Sequence, residues 1–289
     1  MIASIDVYAD LARSITADTA DVTAIIDNPA VDPHSYEASP QDRLAVEQAD
    51  VLIANGGGYD PFLNSLAETA QKEKALLWVL DGDDDEHGDE DEDEHDEHQE
   101  HEDEEPGEDA HSGHDHNSDN EHVWYDLAMM SEFVHELGDH LAQASPENTE
   151  MYAENAETLA EDIQALDTRN RDLDAEGMTY MATEAVSAYL LEDAGFEDQT
   201  DQDFLSAIEH GDDVSARLFQ DALQAAETVD LLAYNEQTET NQSMQIRQAA
   251  EEAGVPVLEF SETLPEDHND YLSWMTHNID QLEQLIDTE

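Results

Sequence analysis

Short apolar runs alternate with amphipathic stretches of about ten residues along most of this chain, and that rhythm narrows the folds open to it. Residues 2–8, 21–26, 51–54 and 75–80 read as strands, and 9–16, 41–48 and 60–71 as helices between them. Residues 27–40, with Pro29, Pro33 and Pro40, read as a loop, and residues 55–58 as a turn. After Gly177 the alternation resumes, with strands at 178–182, 229–234 and 255–260 and helices at 185–193, 215–226, 241–253 and 271–286. Strands joined by helical crossovers form a mainly parallel sheet covered by helices.

Two segments break the rhythm. Residues 82–121 contain 22 acidic residues, no basic ones and no large apolar side chain, so they have nothing to bury and read as a disordered insertion loop. Seven of the 14 histidines fall there: His87, His95, His98, His101, His111, His114 and His116. The second exception follows a helix at 126–141. Pro146 opens a stretch in which Tyr152, Ala156, Leu159, Ile163, Leu166 and Leu173 lie on one stripe. A helix of about 28 residues would span roughly 40 Å, a strut shared by two lobes. The expected architecture is α/β, with two Rossmann-like lobes, each a mainly parallel helix-covered sheet, joined by one long rigid helix. Residues 1–144 form the first lobe (with the insertion at 82–121), 145–175 the linking helix and 176–289 the second lobe.

The sign of the charge excludes several partners. Eight Lys and Arg stand against 76 Asp and Glu, a net charge of −68. Outside the insertion 54 acidic residues still face those 8 cations, so the excess is global. Such a surface repels nucleic acid and anionic membranes. A uniformly acidic, lysine-poor folded chain reads as adapted to high salt, where a Debye length of about 3 Å at 1 M screens the self-repulsion. With no cysteine there are no disulfides and no thiolate metal sites. No apolar run reaches the roughly 18 residues of a membrane span, and Met1 does not open a basic and apolar export signal.

Open α/β sheets present ligand groups beyond the carboxyl ends of their strands. Four polar residues stand at such places: His34 in the Pro-rich loop, His122 just past the insertion, Glu184 after 178–182 and Glu262 after 255–260. Two imidazoles and two carboxylates could neutralise a divalent cation and fill four coordination positions. Taken singly each has an ordinary reading as well. His34 could be a hydrogen-bonded surface residue, and Glu184 a carboxylate favoured at a helix N-terminus. Gly56, Gly57 and Gly58 do not fit a dinucleotide fingerprint and read as a tight turn. Trp78, Trp124 and Trp274 read as core or interlobe packing, and Tyr36, Asn235 and Gln237 as possible hydrogen-bond partners of the four candidates.

Spaced motifs in a fixed order resemble the metal-binding solute receptors of ABC importers that handle zinc and manganese. They begin with Asp32-Pro33-His34-Ser35-Tyr36-Glu37 and residues 49–56, followed by His122-Val123-Trp124-Tyr125-Asp126. Next come Thr183-Glu184-Ala185 with Tyr189-Leu190, and Tyr234-Asn235-Glu236-Gln237-Thr238. Gly254-Val255-Pro256-Val257 and Glu262-Thr263-Leu264-Pro265 complete the set. The likeness runs nearly end to end, interrupted by residues 82–121. It implies two Rossmann-like lobes on a rigid helix with one metal between them. His34 and His122 match the first two family ligands. Glu184 matches the third, which is His in many zinc receptors and Glu in several manganese receptors. Glu262 matches the fourth, where Asp is usual.

The function expected from this is high-affinity capture of a divalent metal outside the membrane, Zn²⁺ ahead of Mn²⁺, and delivery to an ABC importer permease. The metal is cargo, the chain is not an enzyme, and it acts as a monomer. Four protein ligands leave a tetrahedral ion no position for a reacting water, and no nucleophile elbow is present. The resemblance also implies an export signal and lipid anchor in a precursor, neither of which lies in these residues. The alternative function is an acidic, low-affinity cation buffer acting through the His-rich insertion.

Overall fold

The computed structural model describes residues 1–28, 31, 33, 35–80, 120–209 and 214–288. Two four-stranded sheets, parallel throughout, carry the fold. The first contains β1 (Ile2–Ile5), β2 (Thr23–Ile26), β3 (Leu52–Ala54) and β4 (Leu76–Trp78) in the order β2-β1-β3-β4. The second contains β5 (Thr179–Ala182), β6 (Glu197–Asp198), β7 (Leu231–Asn235) and β8 (Val257–Phe260) in the order β6-β5-β7-β8. The two orders are the same. Each reverses direction beside its first strand, between β1 and β3 and between β5 and β7, and each reversal opens a crevice at the strand carboxyl ends.

The helices are α1 (Asp6–Thr16), α2 (Pro40–Gln48), α3 (Pro61–Ala70), α4 (Leu127–Ala144), α5 (Thr149–Arg171), α6 (Ala188–Asp193), α7 (Gln202–Glu209), α8 (Ala216–Ala226), α9 (Asn241–Ala253) and α10 (Tyr271–Ile286). Their starts have local causes. Ser39 and Asp42 form a reciprocal capping box around Pro40 at the head of α2, and Asp126 caps α4 through the Met129 amide. Gly254 ends α9 in the left-handed region at φ 85°.

Two sequence expectations need correction, and two elements are new. The first strand ends at Ile5: Asp6, Val7 and Tyr8 already belong to α1, although Val and Tyr favour strands. The linking helix is 23 residues, about 35 Å, because Pro146–Asn148 form a separate 3-10 turn and Leu173 lies beyond its end. β6 and α7 were not anticipated, since neither is announced by an apolar run.

Helix α5 buries Tyr152, Ala156, Leu159 and Ile163, the expected stripe. It packs on α4 and α1 from the first lobe and on α6 and α10 from the second. One apolar cluster therefore runs through both lobes, from Ile5 and Leu11 through Trp124 and Ile163 to Leu190 and Trp274. Trp124 and Trp274 are buried in it as expected, while Trp78 is half-buried on β4. No described helix is long and apolar enough to cross a membrane.

Candidate functional site

The crevice of the first sheet is shaped by a turn. Gly56, Gly57 and Gly58 all have positive φ, as a tight turn requires, and a Cβ on Gly56 would come within 2.4 Å of the Leu80 carbonyl oxygen. Buried Asp60 closes the turn by accepting from the backbone amides of Asn55 at 2.7 Å and Gly56 at 3.0 Å. Burial pushes the Asp60 carboxyl above its usual range. This frame aims Tyr59 across the lobe boundary, where its hydroxyl donates to Glu262 Oε2 at 3.0 Å. Burial, then the Glu262 charge, raises the Tyr59 phenol well above its ordinary value, so it remains a donor.

The second wall is charged. Glu184 stands just past β5 and Asn235 ends β7, on either side of the second reversal point. The Asn235 side-chain amide donates to both carboxylates, to Glu184 Oε2 at 2.5 Å and to Glu262 Oε1 at 2.9 Å. Thr238 Oγ1 donates to the other Glu184 oxygen at 2.5 Å. Gln237 steadies the Glu262 turn by accepting from the Glu262 amide and the Thr263 hydroxyl, while its own amide donates to the Val31 carbonyl of the first lobe.

His122 joins the two walls. It precedes the turn Val123–Tyr125, is 2% exposed, and packs edge-on against Tyr59 and Trp124. Its Nε2 lies 3.4 Å from Glu262 Oε2. Glu262 itself is fully buried. The Glu184 carboxyl is raised to about 7, first by burial and second by the Glu262 charge, against the opposing hydrogen bonds of Thr238 and Asn235. Two acidic groups and one imidazole thus lie together, Glu262 and His122 buried and Glu184 half-buried, an arrangement that a cation would relieve.

Of the four residues singled out in the sequence, the structure brings His122, Glu184 and Glu262 together, and His34 lies outside the described residues. Among the described residues no three His, Cys, Asp or Glu side chains form a metal cage; an amide, Asn235, links the two carboxylates instead. Asn235 contacts the candidates as anticipated, and Gln237 reaches the Glu262 backbone. Among the described residues the Tyr36 hydroxyl donates to Asp42 at 2.7 Å, inside the α2 capping region.

Of the expected insertion at 82–121, only the last two residues are described. Asn120 and Glu121 are described and belong to the site: Asn120 bonds His122 and Ala185, and the Glu121 carbonyl accepts from Asn55 Nδ2 at 2.9 Å. The rest of the insertion, with its seven histidines, lies outside the described residues. Tyr59, Thr238 and Asn120 were missed by sequence reasoning. For Asn120 the signal was its place two residues before His122; Tyr59 was signalled only by the glycine turn ahead of it.

Comparison with known proteins shows the family and the fold. Residues 1–285 match the family model described as zinc-uptake complex component A, periplasmic. The manganese-binding lipoprotein MntA of Halalkalibacterium halodurans is 24% identical over 201 residues, 68% of this chain and 58% of its own length. The high-affinity zinc uptake system protein ZnuA of Paracoccus denitrificans is 37% identical over 179 residues, 57% of this chain and 55% of its own. The chain thus spans less than two thirds of the length of these relatives. The periplasmic zinc-binding protein TroA of Treponema pallidum shares the fold with a TM-score of 0.73 at 17% identity, covering 99% of this chain and 98% of that one.

Proposed function

The chain belongs to the periplasmic zinc-uptake complex component A family, a family of solute receptors and not of enzymes, and on that footing we propose that it captures one divalent transition-metal ion between its lobes and passes it to the permease of an ABC importer. His122, Glu184 and Glu262 bind the ion together with His34, whose part rests on the resemblance alone. The observation that carries the reading is the convergence of His122 Nε2 on the buried Glu262 carboxylate, which Asn235 ties to Glu184. Two carboxylates that share one amide donor gain most from a dication, which neutralises both at once.

Zinc stands ahead of manganese. Two imidazoles with two carboxylates are a harder donor set than three imidazoles, which suits manganese, but the Irving–Williams order favours zinc at any such site. The relatives' names include both metals, and the family description names zinc.

The protein works as an extracytoplasmic monomer, lipid-anchored in its precursor, with lobes at 1–144 and 176–289 on a linking segment at 145–175. The core shared by both lobes supports a small closing movement on binding. The acidic surface is an adaptation to high salt. Its expected signature is a melting temperature that falls once salt drops below roughly 0.5 M, as screening weakens; equal melting at low and high salt overturns it.

Calorimetric titration of Zn²⁺ and Mn²⁺ into chelator-stripped protein in molar salt tests the function. The full chain is compared with a variant lacking residues 82–119, which keeps Asn120 and Glu121. One tight site that survives the deletion and disappears in Glu184→Ala is the expected result. Binding that vanishes with the deleted segment would establish the cation buffer instead.

A further inference from the structure

Asn120 has no charge and takes no part in the binding chemistry proposed above, yet its side chain settles the state of the imidazole. Its Oδ1 accepts twice from His122, from the backbone N–H at 3.1 Å and from ring Nδ1 at 2.8 Å. The amide cannot be reversed. Its Nδ2 donates to the Ala185 carbonyl at 3.0 Å, and a flipped amide would set donor against the His122 N–H and acceptor against that carbonyl. Both partners are backbone groups whose roles are fixed, so the amide assignment follows from chemistry. With Oδ1 in that place, the neutral ring carries its proton on Nδ1 and turns the Nε2 lone pair toward Glu262 Oε2, 3.4 Å away.

The residue is itself anchored from the opposite lobe. Ala185 directly follows Glu184, and the Tyr189 hydroxyl at the start of α6 donates to the Asn120 carbonyl at 2.7 Å. Asn120 therefore spans the seam, with one face on the imidazole of the first lobe and the other on the turn that carries Glu184.

We infer that Asn120 is a positioning residue: it holds His122 as the Nδ1–H tautomer and orients Nε2 for a metal ion, while tying that ring to the Glu184 turn. The inference rests on the metal-binding reading of the cleft, and its test separates the two. The probes are the ¹⁵N shifts of the His122 ring in chelator-stripped protein, identified by difference from His122→Gln, and the Zn²⁺ affinity of the same samples.

Asn120→Ala should populate the Nε2–H form and weaken zinc about 10- to 100-fold, as loss of a histidine's outer hydrogen-bond partner commonly does. Asn120→Asp, which keeps the ring's acceptor and loses the donor to Ala185, should restore the Nδ1–H signature and most of the affinity. Unchanged ring shifts in Asn120→Ala overturn the inference. So does Asn120→Asp behaving like Asn120→Ala, since the bond to Ala185 would then be what matters. A tautomer change with unaltered zinc affinity upholds the hold on the ring and overturns the metal role of His122.

Discussion

The two sheets have one strand order and opposite crevices. At the reversal point of the first, the chain places neutral groups, Asn55 and a glycine turn whose amides buried Asp60 holds, followed by Tyr59. At the reversal point of the second it places Glu184 and Asn235, with Glu262 beyond the neighbouring strand. The architecture is repeated while the chemistry is divided. Both carboxylates sit on the second wall, so their repulsion is built into one lobe and does not depend on how the lobes approach. The first wall contributes aromatic rings, a phenol donor and the His122 nitrogen.

That division is open to direct attack. Glu262→Gln removes a charge from the second wall and should weaken zinc by more than about 100-fold, beyond the usual loss of an outer partner. Calorimetry would read it, and near-normal affinity would end the assignment of charge to that wall. Asn235→Ala removes the shared amide donor, and a loss of about 10- to 100-fold is expected. Tyr59→Phe tests the first wall by deleting one hydrogen bond to a carboxylate. The expected loss is about tenfold, near the low end for a bond to a charged group. If Tyr59→Phe cost more than Asn235→Ala, the comparison between the walls would be reversed.

The last effect lies away from the metal and leaves zinc affinity untouched. Asp6 Oδ1 accepts from the Leu264 amide across the lobe boundary at 3.0 Å, and burial raises its carboxyl to about 6. The folded state therefore holds this proton more tightly than the unfolded one. Stability should fall as pH rises from about 4 to about 6, and the loss stays in place above that window. Asp6→Asn keeps the acceptor without the charge. It should remove this part of the pH dependence and add on the order of 1–2 kcal/mol at pH 7, with zinc affinity unchanged. Thermal melts of both proteins at pH 4 and pH 7 check the sign.

Much of this was legible in the residues. Strands such as Leu52–Ala54 and Leu231–Asn235 appeared as apolar runs because both faces of a parallel sheet are covered. Glu197–Asp198 did not, because a two-residue edge strand needs no buried side chains of its own. The early start of α1 was hidden for a tertiary reason: Asp6 and Asp10 face the Leu264 and Tyr271 amides, contacts 258 and 261 residues away in sequence. In the cleft, His122, Glu184 and Glu262 were visible through residue type and order. The roles of Thr238 and Tyr59 were not readable, because a hydroxyl becomes informative only when folding sets it beside a carboxylate. Asn120 was hidden by its surroundings, an acidic stretch whose composition argues against any fixed contact.

Asn55 has a second consequence. Its carbonyl accepts from the Leu80 amide at 2.8 Å and its side chain donates to the Glu121 carbonyl at 2.9 Å, so one residue grips the chain on either side of the acidic segment. The described ends of that segment, Leu80 and Glu121, thus meet at one residue. For a flexible connection between two such fixed ends, doubling the length adds only about 0.6 kcal/mol of closure entropy. Gain or loss of dozens of residues there is a smaller disturbance to the fold than loss of one buried hydrogen bond, and natural variation in this chain's length should concentrate at that point.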